Sequence, residues 1–564
     1  MTAQRLSFST VVDSTRERVS GWLGRAWSQP KLRWLGAIVI LAAALRIVWV
    51  LSANREPVGI HDPLLYYLLG IQIAEGNGYR LLDGTPTAFY PVGYPAALGG
   101  VFALVRHTPI PDNLVLASGF FNVFLGVATV VLAYEVGRRL FSPSVGLLAA
   151  LWLAVFPNLI YHTAAYLSET LFNFLMLAAL LVLLAVDWRE RPPTRARLAL
   201  FGAILGLSAL VRPISLLFLP LLFAVWLYAG FGWRRALEAT ALALVATAAV
   251  IAPWAIRNAV VMDAPVIIST NLGDDLCMGH YPGARGAFAL PDYCFNQPEY
   301  KDLVRPEYEV RRNNDNIERA IKFAFHNRLA ELKLLSRKAW FLWNHDHDGL
   351  WAVESYGYDP FIRSPLSLRV IPAQVPDDRL PSVASELERL AGVDAGQVTA
   401  AVQEGKLTAP DVPVVIRERM PPQAGYEIRT LLLPGVRLVT TETALWTALV
   451  RIADNFFYVT ISLGGLGLLA FVLPPRDPRR VYFLLALLAL AGVPLAFFGD
   501  ARFHVPVMPL LVVGAAWVVV FAWRNAPKLI AQPVPASAST DPSGAVEIAE
   551  GEGPVPEQDA LQDA

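Results

Sequence analysis

The sequence predicts an all-α, polytopic membrane protein, and three observations carry that expectation. The 564 residues are 55% hydrophobic and only 17% charged, less charge than a soluble protein of this length needs. Ten runs are apolar enough to be read as helices filling a bilayer core, which takes roughly 17–25 residues each. The basic residues fall in short loops that alternate along the chain, as cytoplasmic loops do. Lys+Arg and Asp+Glu balance at 47 each, so net charge points to no polyanionic or nucleic-acid partner.

The ten runs lie at approximately 34–53, 113–135, 144–162, 165–186, 198–212, 214–230, 236–256, 444–473, 481–498 and 505–523. Residues 1–33 form a basic head with Arg16, Arg18, Arg25, Lys31 and Arg33, and no small-residue cleavage pattern follows the first run. With that head inside, alternation puts Arg138 and Arg139 on the same side. It does the same for Arg189–Arg197, Arg234 and Arg235, Arg476–Arg480, Arg524 and Lys528. Both termini are therefore expected on the cytoplasmic side, with an even number of spans.

The domain organisation follows. The N-terminal transmembrane module covers 34–256 and contains a first outer loop, 54–112. An extracytoplasmic region covers 257–443, C-terminal membrane helices cover 444–523, and 524–564 is a cytoplasmic tail. The tail is rich in Pro, Ala, Ser, Gly and acids and has no apolar period, which predicts disorder. Ala96–Val105 and Leu329–Trp343 are apolar but too short to cross comfortably. They are expected to lie at the outer interface, the latter anchored by Trp340 and Trp343. The polar, Ala/Glu-rich stretch 376–408 predicts a small helical subdomain. Cys277 and Cys294 share the outer region, where the compartment is oxidising in most bacteria. A disulfide worth about 3 kcal/mol is the favoured expectation there, and two separate thiols the other.

Chemistry centres first on Asp62. An Asp-Pro start is a good helix cap, and a carboxylate held ionised at a helix mouth is also what a general base needs. Both readings stand at this level. Asn344-His-Asp-His-Asp-Gly349 invites a metal, but its spacing matches no zinc pattern, and a solvated loop is the simpler expectation. No metal site and no cofactor is assigned, although a divalent ion is not excluded. No Gly-rich phosphate loop and no dinucleotide fingerprint is present.

Several segments then align with a known pattern. Asp62-x-x-x-Tyr66, Gly76–Tyr79 and Tyr90-Pro-x-Gly-Tyr-Pro95 lie in the first loop. Tyr166-Leu-Ser-Glu-Thr170, Val211-Arg-Pro213 and Pro253-Trp-x-x-Arg-Asn258 sit at span ends. Ile268-Ser-Thr-Asn-x-Gly273, Gly279–Gly286 and Gly499-Asp-x-Arg-Phe-His-x-Pro506 follow. In this order they resemble the bacterial membrane glycosyltransferases of the GT-C fold, such as the protein O-mannosyltransferase and aminoarabinose-transferase-like families. The resemblance covers roughly 35–345 and 440–525. It implies a GT-C helical bundle in a bacterial plasma membrane. It also implies transfer of a sugar from a polyprenyl-phosphate donor to a glycan, lipid or protein acceptor at the outer face.

On that reading Asp62 is the expected base, and Arg257, Arg502, His504 and Arg212 meet the donor phosphate. Tyr66 and Tyr94 line the sugar pocket, and Glu169 orients the acceptor. Arg suits a phosphate because its fork donates two parallel hydrogen bonds. One departure stands out. Where many members carry Asp-Glu, this chain has Asp62-Pro63, so a second carboxylate is missing. Two other readings stay open. A lipid-linked sugar flippase is disfavoured by the lack of repeated halves. A non-catalytic envelope-assembly protein is kept open by the missing acid.

Overall fold

A computed structural model describes residues 30–57, 62–108, 113–300, 302–356, 358–361, 443–474 and 477–530. Helix α1 is Pro30–Ala53, α2 Asp62–Ala74, α3 Gly93–Arg106, α4 Leu114–Leu140, α5 Pro143–Ala154 and α6 Pro157–Tyr161. Then come α7 Glu169–Leu184, α8 Arg195–Val211, α9 Phe218–Tyr228 and α10 Trp233–Val261. The following region carries α11 Leu272–Gly279, α12 Asp292–Phe295, α13 Glu307–His326, α14 Arg328–Trp343 and α15 Asp348–Ser355. The chain ends with α16 Ala444–Gly467, α17 Leu469–Val472, α18 Pro478–Gly492 and α19 Met508–Ile530. No named strand occurs among the described residues. The chain divides into two units, Met1–Val520 and Phe521–Ala564, and everything below concerns the first.

The helix starts follow local chemistry. Asn113, Thr194 and Thr443 accept from the backbone N–H three residues on, at 2.9, 3.4 and 3.2 Å. Ser142 does so just before Pro143 at 3.3 Å, and Asp477 caps Arg479 N at 2.9 Å beside Pro478.

All ten apolar runs are helical, but among the described residues six helices are both long and apolar enough to cross a membrane, or seven if a bent pair counts as one. The bent pair is α5 and the Pro157–Ala164 helix, which meet at 60°. Pro157 has no N–H to continue the ladder. The fully buried Arg46 fills the break, donating to Ala154 O at 2.9 Å and Leu153 O at 3.0 Å. The apolar helices 169–184 and 213–228 are shorter than a full span; α7, at 16 residues, covers only about 24 Å.

The core runs through α4, α5, α7, α8, α9, α18 and the start of α19, with Phe172, Met176, Leu180, Phe201, Leu205, Phe218 and Leu222 sealed. Outward faces stay apolar: Leu237, Leu244, Val245, Ile256 and Val260 of α10 are all exposed, and only 22% of that helix's apolar window is buried. Such surface is stable against lipid tails and not against water. The chain is a multi-pass membrane protein.

The basic loops gather at one end. Arg139 donates to Ala185 O, Arg480 to Leu140 O, and Arg479 to Val186 O and Asp187. Helix α3 has a packed face, and two expectations change. Helix α3 buries Tyr94, Leu98 and Phe102 against α2. Trp343 is no interfacial anchor: it stacks on His504 at 5.4 Å, while Trp340 is exposed. The Asn344–Gly349 stretch is no solvated loop, since Asp346 is 1% exposed. The basic head up to residue 29, the 376–408 stretch and the tail after 530 lie outside the described residues.

Candidate active site

The first loop is built to present Asp62. Segment 79–90 is held from two sides. Arg257, near the end of α10, donates to Tyr79 O at 2.6 Å and Thr87 O at 2.7 Å. Glu309 of α13 accepts from Ala88 N at 2.8 Å, Thr87 Oγ1 at 2.8 Å and Thr270 Oγ1 at 2.6 Å. Tyr79 Oη donates to Tyr90 O at 2.9 Å, and Tyr90 Oη donates to Asp62 Oδ1 at 2.6 Å. Tyr66 packs edge-on between Tyr90 and Tyr94, at 5.0 and 5.5 Å.

Asp62 opens α2, yet its carboxylate is spent on other partners. Oδ1 takes the Tyr90 hydroxyl and Oδ2 takes Arg502 Nη1 at 2.5 Å. Arg502 Nε binds Glu169 Oε1, and Arg212 Nη2 binds the same oxygen. Arg212 Nε also donates to Ser168 Oγ at 3.0 Å. Two carboxylates and two guanidiniums thus form one chain, Asp62–Arg502–Glu169–Arg212, drawn from four helix ends. Glu169 is fully buried, and its Oε2 has no hydrogen-bond partner among the described residues. That buried acceptor is what a donor group of a bound molecule would satisfy. The Arg502 position is fixed locally by Asp500, which accepts from Arg502 N at 2.9 Å.

The electrostatics favour charge separation at rest. Burial works against the Asp62 carboxylate, but the Arg502 guanidinium, the Tyr90 hydroxyl and Arg212 outweigh it and hold the group below the usual range. Asp275 of α11 behaves oppositely. Burial, together with the negative charge of Asp62 and Asp274, pushes it up to about 8. Its neighbour Asp274 is paired with Arg312 at 2.7 Å, whereas among the described residues Asp275 has only the Asn271 amide, at 3.0 Å. Helix α11 is pinned by Gly273 N bonding Asn313 Oδ1 at 2.8 Å and by the Cys277–Cys294 disulfide, whose Cα atoms are 6.0 Å apart.

The predicted site residues therefore separate into groups. Asp62, Arg502, Glu169 and Arg212 converge, and Tyr66 adjoins them through Tyr90. Arg257 is one step removed: its guanidinium holds loop carbonyls and lies over Trp254, 4.8 Å from the ring centre. His504 is elsewhere. It is fully buried between Trp343 and Phe457, with Nε2 on Asp346 at 2.9 Å and Nδ1 on Leu342 O at 2.5 Å, so no ring nitrogen is left for a phosphate. Asp346 and Asp348 accept from the Asn158 amide at 2.5 and 2.7 Å, and Asp348 from His162 at 2.9 Å. The His-Asp-His-Asp stretch thus ties α15 to α6 and to the start of the last span. Tyr90, Glu309 and Asp275 are additions to the site. Tyr90 sits inside a motif that resembles the family, and Asp275 follows Ile268–Gly273 as one of two adjacent acids.

Residues 108–256, well under half of the chain, match the family model for dolichyl-phosphate-mannose-protein mannosyltransferase. That stretch contains Glu169 and Arg212 but neither Asp62 nor Arg502. No curated protein matches the chain in sequence. Among solved structures, the oligosaccharyltransferase of Archaeoglobus fulgidus, tethered to an acceptor peptide with an NVT sequon, aligns over 91% of this chain and 52% of its own. The identity is 15% and the TM-score 0.45. The archaeal oligosaccharyltransferase AglB from the same organism, with an inhibitory peptide and a dolichol-phosphate, aligns over 89% and 52%, at 14% identity and TM-score 0.42. ArnT from Cupriavidus metallidurans bound to undecaprenyl phosphate aligns over 89% and 81%, at 14% identity and TM-score 0.35. The chain spans about half the length of the oligosaccharyltransferases it matches.

Proposed function

We propose that this chain is an integral membrane glycosyltransferase that moves a sugar from a polyprenyl-phosphate donor to a hydroxyl acceptor at the extracytoplasmic face. The observation that carries the reading is the Asp62–Arg502–Glu169–Arg212 chain at the ends of apolar helices. It combines a base, two phosphate-binding forks and a buried acceptor oxygen at a lipid-flanked rim.

The chemistry is a single displacement. The acceptor oxygen attacks the anomeric carbon, the bond from that carbon to the phosphate oxygen breaks, and Asp62 takes the hydroxyl proton. Polyprenyl phosphate leaves, and the anomeric centre inverts. Arg502 and Arg212 stabilise the charge that grows on the leaving phosphate. In the resting arrangement Asp62 is a weak base because Arg502 neutralises it. A bound phosphate competes for the same guanidinium and loosens the Arg502–Asp62 pair, so the donor itself raises the basicity of the carboxylate. Glu169 Oε2 accepts from a sugar or acceptor hydroxyl. Tyr66 and Tyr94 wall the sugar, and Arg257 acts at a distance by fixing the loop that carries Tyr90.

The test is release of polyprenyl phosphate from a panel of polyprenyl-phosphate sugars by purified protein in lipid nanodiscs. Asp62→Asn should lower the rate about 10²–10⁴-fold, the range for loss of a positioned base, at unchanged expression. Full activity in that variant would remove the base from Asp62. No release from any donor by the wild type would favour an assembly protein over an enzyme.

A further inference from the structure

A cavity of about 510 Å³ lies along α14, outside the acid–arginine chain. Its wall is apolar: Phe325, Leu332, Leu335 and Leu495 line it, and the first three are exposed at 67%, 67% and 46%. Its polar floor is unusual. Lys338 is 1% exposed, and its ammonium donates to His280 Nε2 at 3.0 Å. His280 Nδ1 lies 2.8 Å from Leu276 O, which can only accept, so Nδ1 carries the ring proton and Nε2 is the acceptor. The other two ammonium protons lack a hydrogen-bonded partner, since Glu331 Oε2 stands 3.9 Å away. Glu331 Oε1 is buried with no hydrogen-bond partner among the described residues. Arg328 lines the same cavity and makes no ion pair or hydrogen bond among the described residues.

A purely structural ion cluster would close these valences on itself. This one leaves spare donors on Lys338 and Arg328, and a spare acceptor on Glu331, beneath a greasy wall. We propose that the cavity binds an aminophospholipid, with its phosphate on Lys338 and Arg328, its ammonium on Glu331 Oε1 and an acyl chain along Phe325, Leu332 and Leu335. The occupant is distinct from the sugar donor. No residue of the Asp62–Arg502 chain lines the cavity. Burial pushes Lys338 down to about 8, and a phosphate in contact would hold its charge to higher pH. The site backs onto the active centre. A Cβ on Gly499 would meet Lys338 O at 2.2 Å, and Gly499 lies three residues before Arg502.

The test reads lipid binding, not turnover, so it stands apart from the transferase reading. Purified wild type, Lys338→Gln, Arg328→Ala and Glu331→Ala in detergent are titrated with dioleoyl-phosphatidylethanolamine, -choline or -glycerol. Bound lipid is counted by native mass spectrometry. Wild type should bind the ethanolamine lipid about tenfold tighter than the choline lipid, whose quaternary ammonium cannot donate. Lys338→Gln and Arg328→Ala should weaken the ethanolamine and glycerol lipids alike, and Glu331→Ala should erase the ethanolamine preference alone. Arg328 is exposed, so its variant tests the site without risk to the fold. Equal binding of ethanolamine and choline lipids, unchanged binding in both cation variants, or displacement by equimolar undecaprenyl phosphate would overturn the proposal.

Discussion

On the proposed reading single side chains decide the chemistry, with Asp62 and Asp275 at its centre. The two carboxylates share one neighbourhood and are pushed in opposite directions, Asp62 down by guanidiniums and Asp275 up to about 8 by burial and like charge. Such divergent pairs assign acid and base roles. Asp275 is protonated below about pH 8 and loses its proton above it, so an interaction that needs that proton fades as pH rises through this value. Transfer should therefore fall on the alkaline side in wild type. Asp275→Asn, which keeps a donor at every pH, should flatten that limb, and Asp275→Ala should lower activity throughout. A pH–rate profile of the three proteins checks it; an alkaline limb unchanged in Asp275→Asn would assign the limb to another group. Asp275 also bears on the missing acid after Asp62. Sequence spacing could not reveal it, because 213 positions separate the two residues; Thr270, two residues before α11, shares the Glu309 carboxylate with Ala88 of the first loop. Asp62 drew attention from its place after the first apolar run, but its pairing with Arg502, 440 positions on, did not show in the sequence. His504 was misread for a plain reason: a sequence shows that a histidine lies near an arginine, not that its ring is sealed between two aromatic faces.

At the scale of elements, apolar runs located the membrane helices, whereas the polar, 20-residue α13, Glu307–His326, carries no apolar run and was not legible that way. Among the described residues six or seven helices reach full span length, and the other apolar runs are shortened or bent, as at Pro157. Residues 144–162 read as one run, and nothing in that run announces that a distant arginine, Arg46, supports a 60° bend at Pro157. Arg46→Met should remove the side-chain donor from the buried Ala154 carbonyl and leave Leu153 O with backbone donors only, such as Phe156 N at 3.4 Å, a cost of about 1–3 kcal/mol. The expected readout is a clear drop in the unfolding temperature in detergent, with helix content retained at low temperature. An unchanged transition would show that water or a backbone shift satisfies those carbonyls instead. The His-Asp-His-Asp stretch belongs at this scale too. Its acids and imidazoles join α6, α15 and the start of the last span, so it works as a strut.

For the whole molecule, the account rests on sidedness. Arg139, Arg479 and Arg480 meet at one end of the bundle, and the Asp62–Arg502 chain assembles from a different set of helix ends. With the basic end inside, a cysteine placed at Asp83, an exposed turn of the first loop, should react with a membrane-impermeant thiol reagent in intact cells. One at Arg191 should react only after lysis. The reverse pattern would put the active centre in the cytoplasm and remove the extracytoplasmic assignment. The central claim is that Asp62 and Arg502, far apart in sequence and bonded in space, serve one chemical step. A double-mutant cycle on single-turnover sugar transfer, with Asp62→Asn, Arg502→Gln and both together, tests this most directly. Residues acting as a unit give a double variant little slower than the worse single one. Losses that simply multiply would mean that the two side chains act independently and that their contact is only structural.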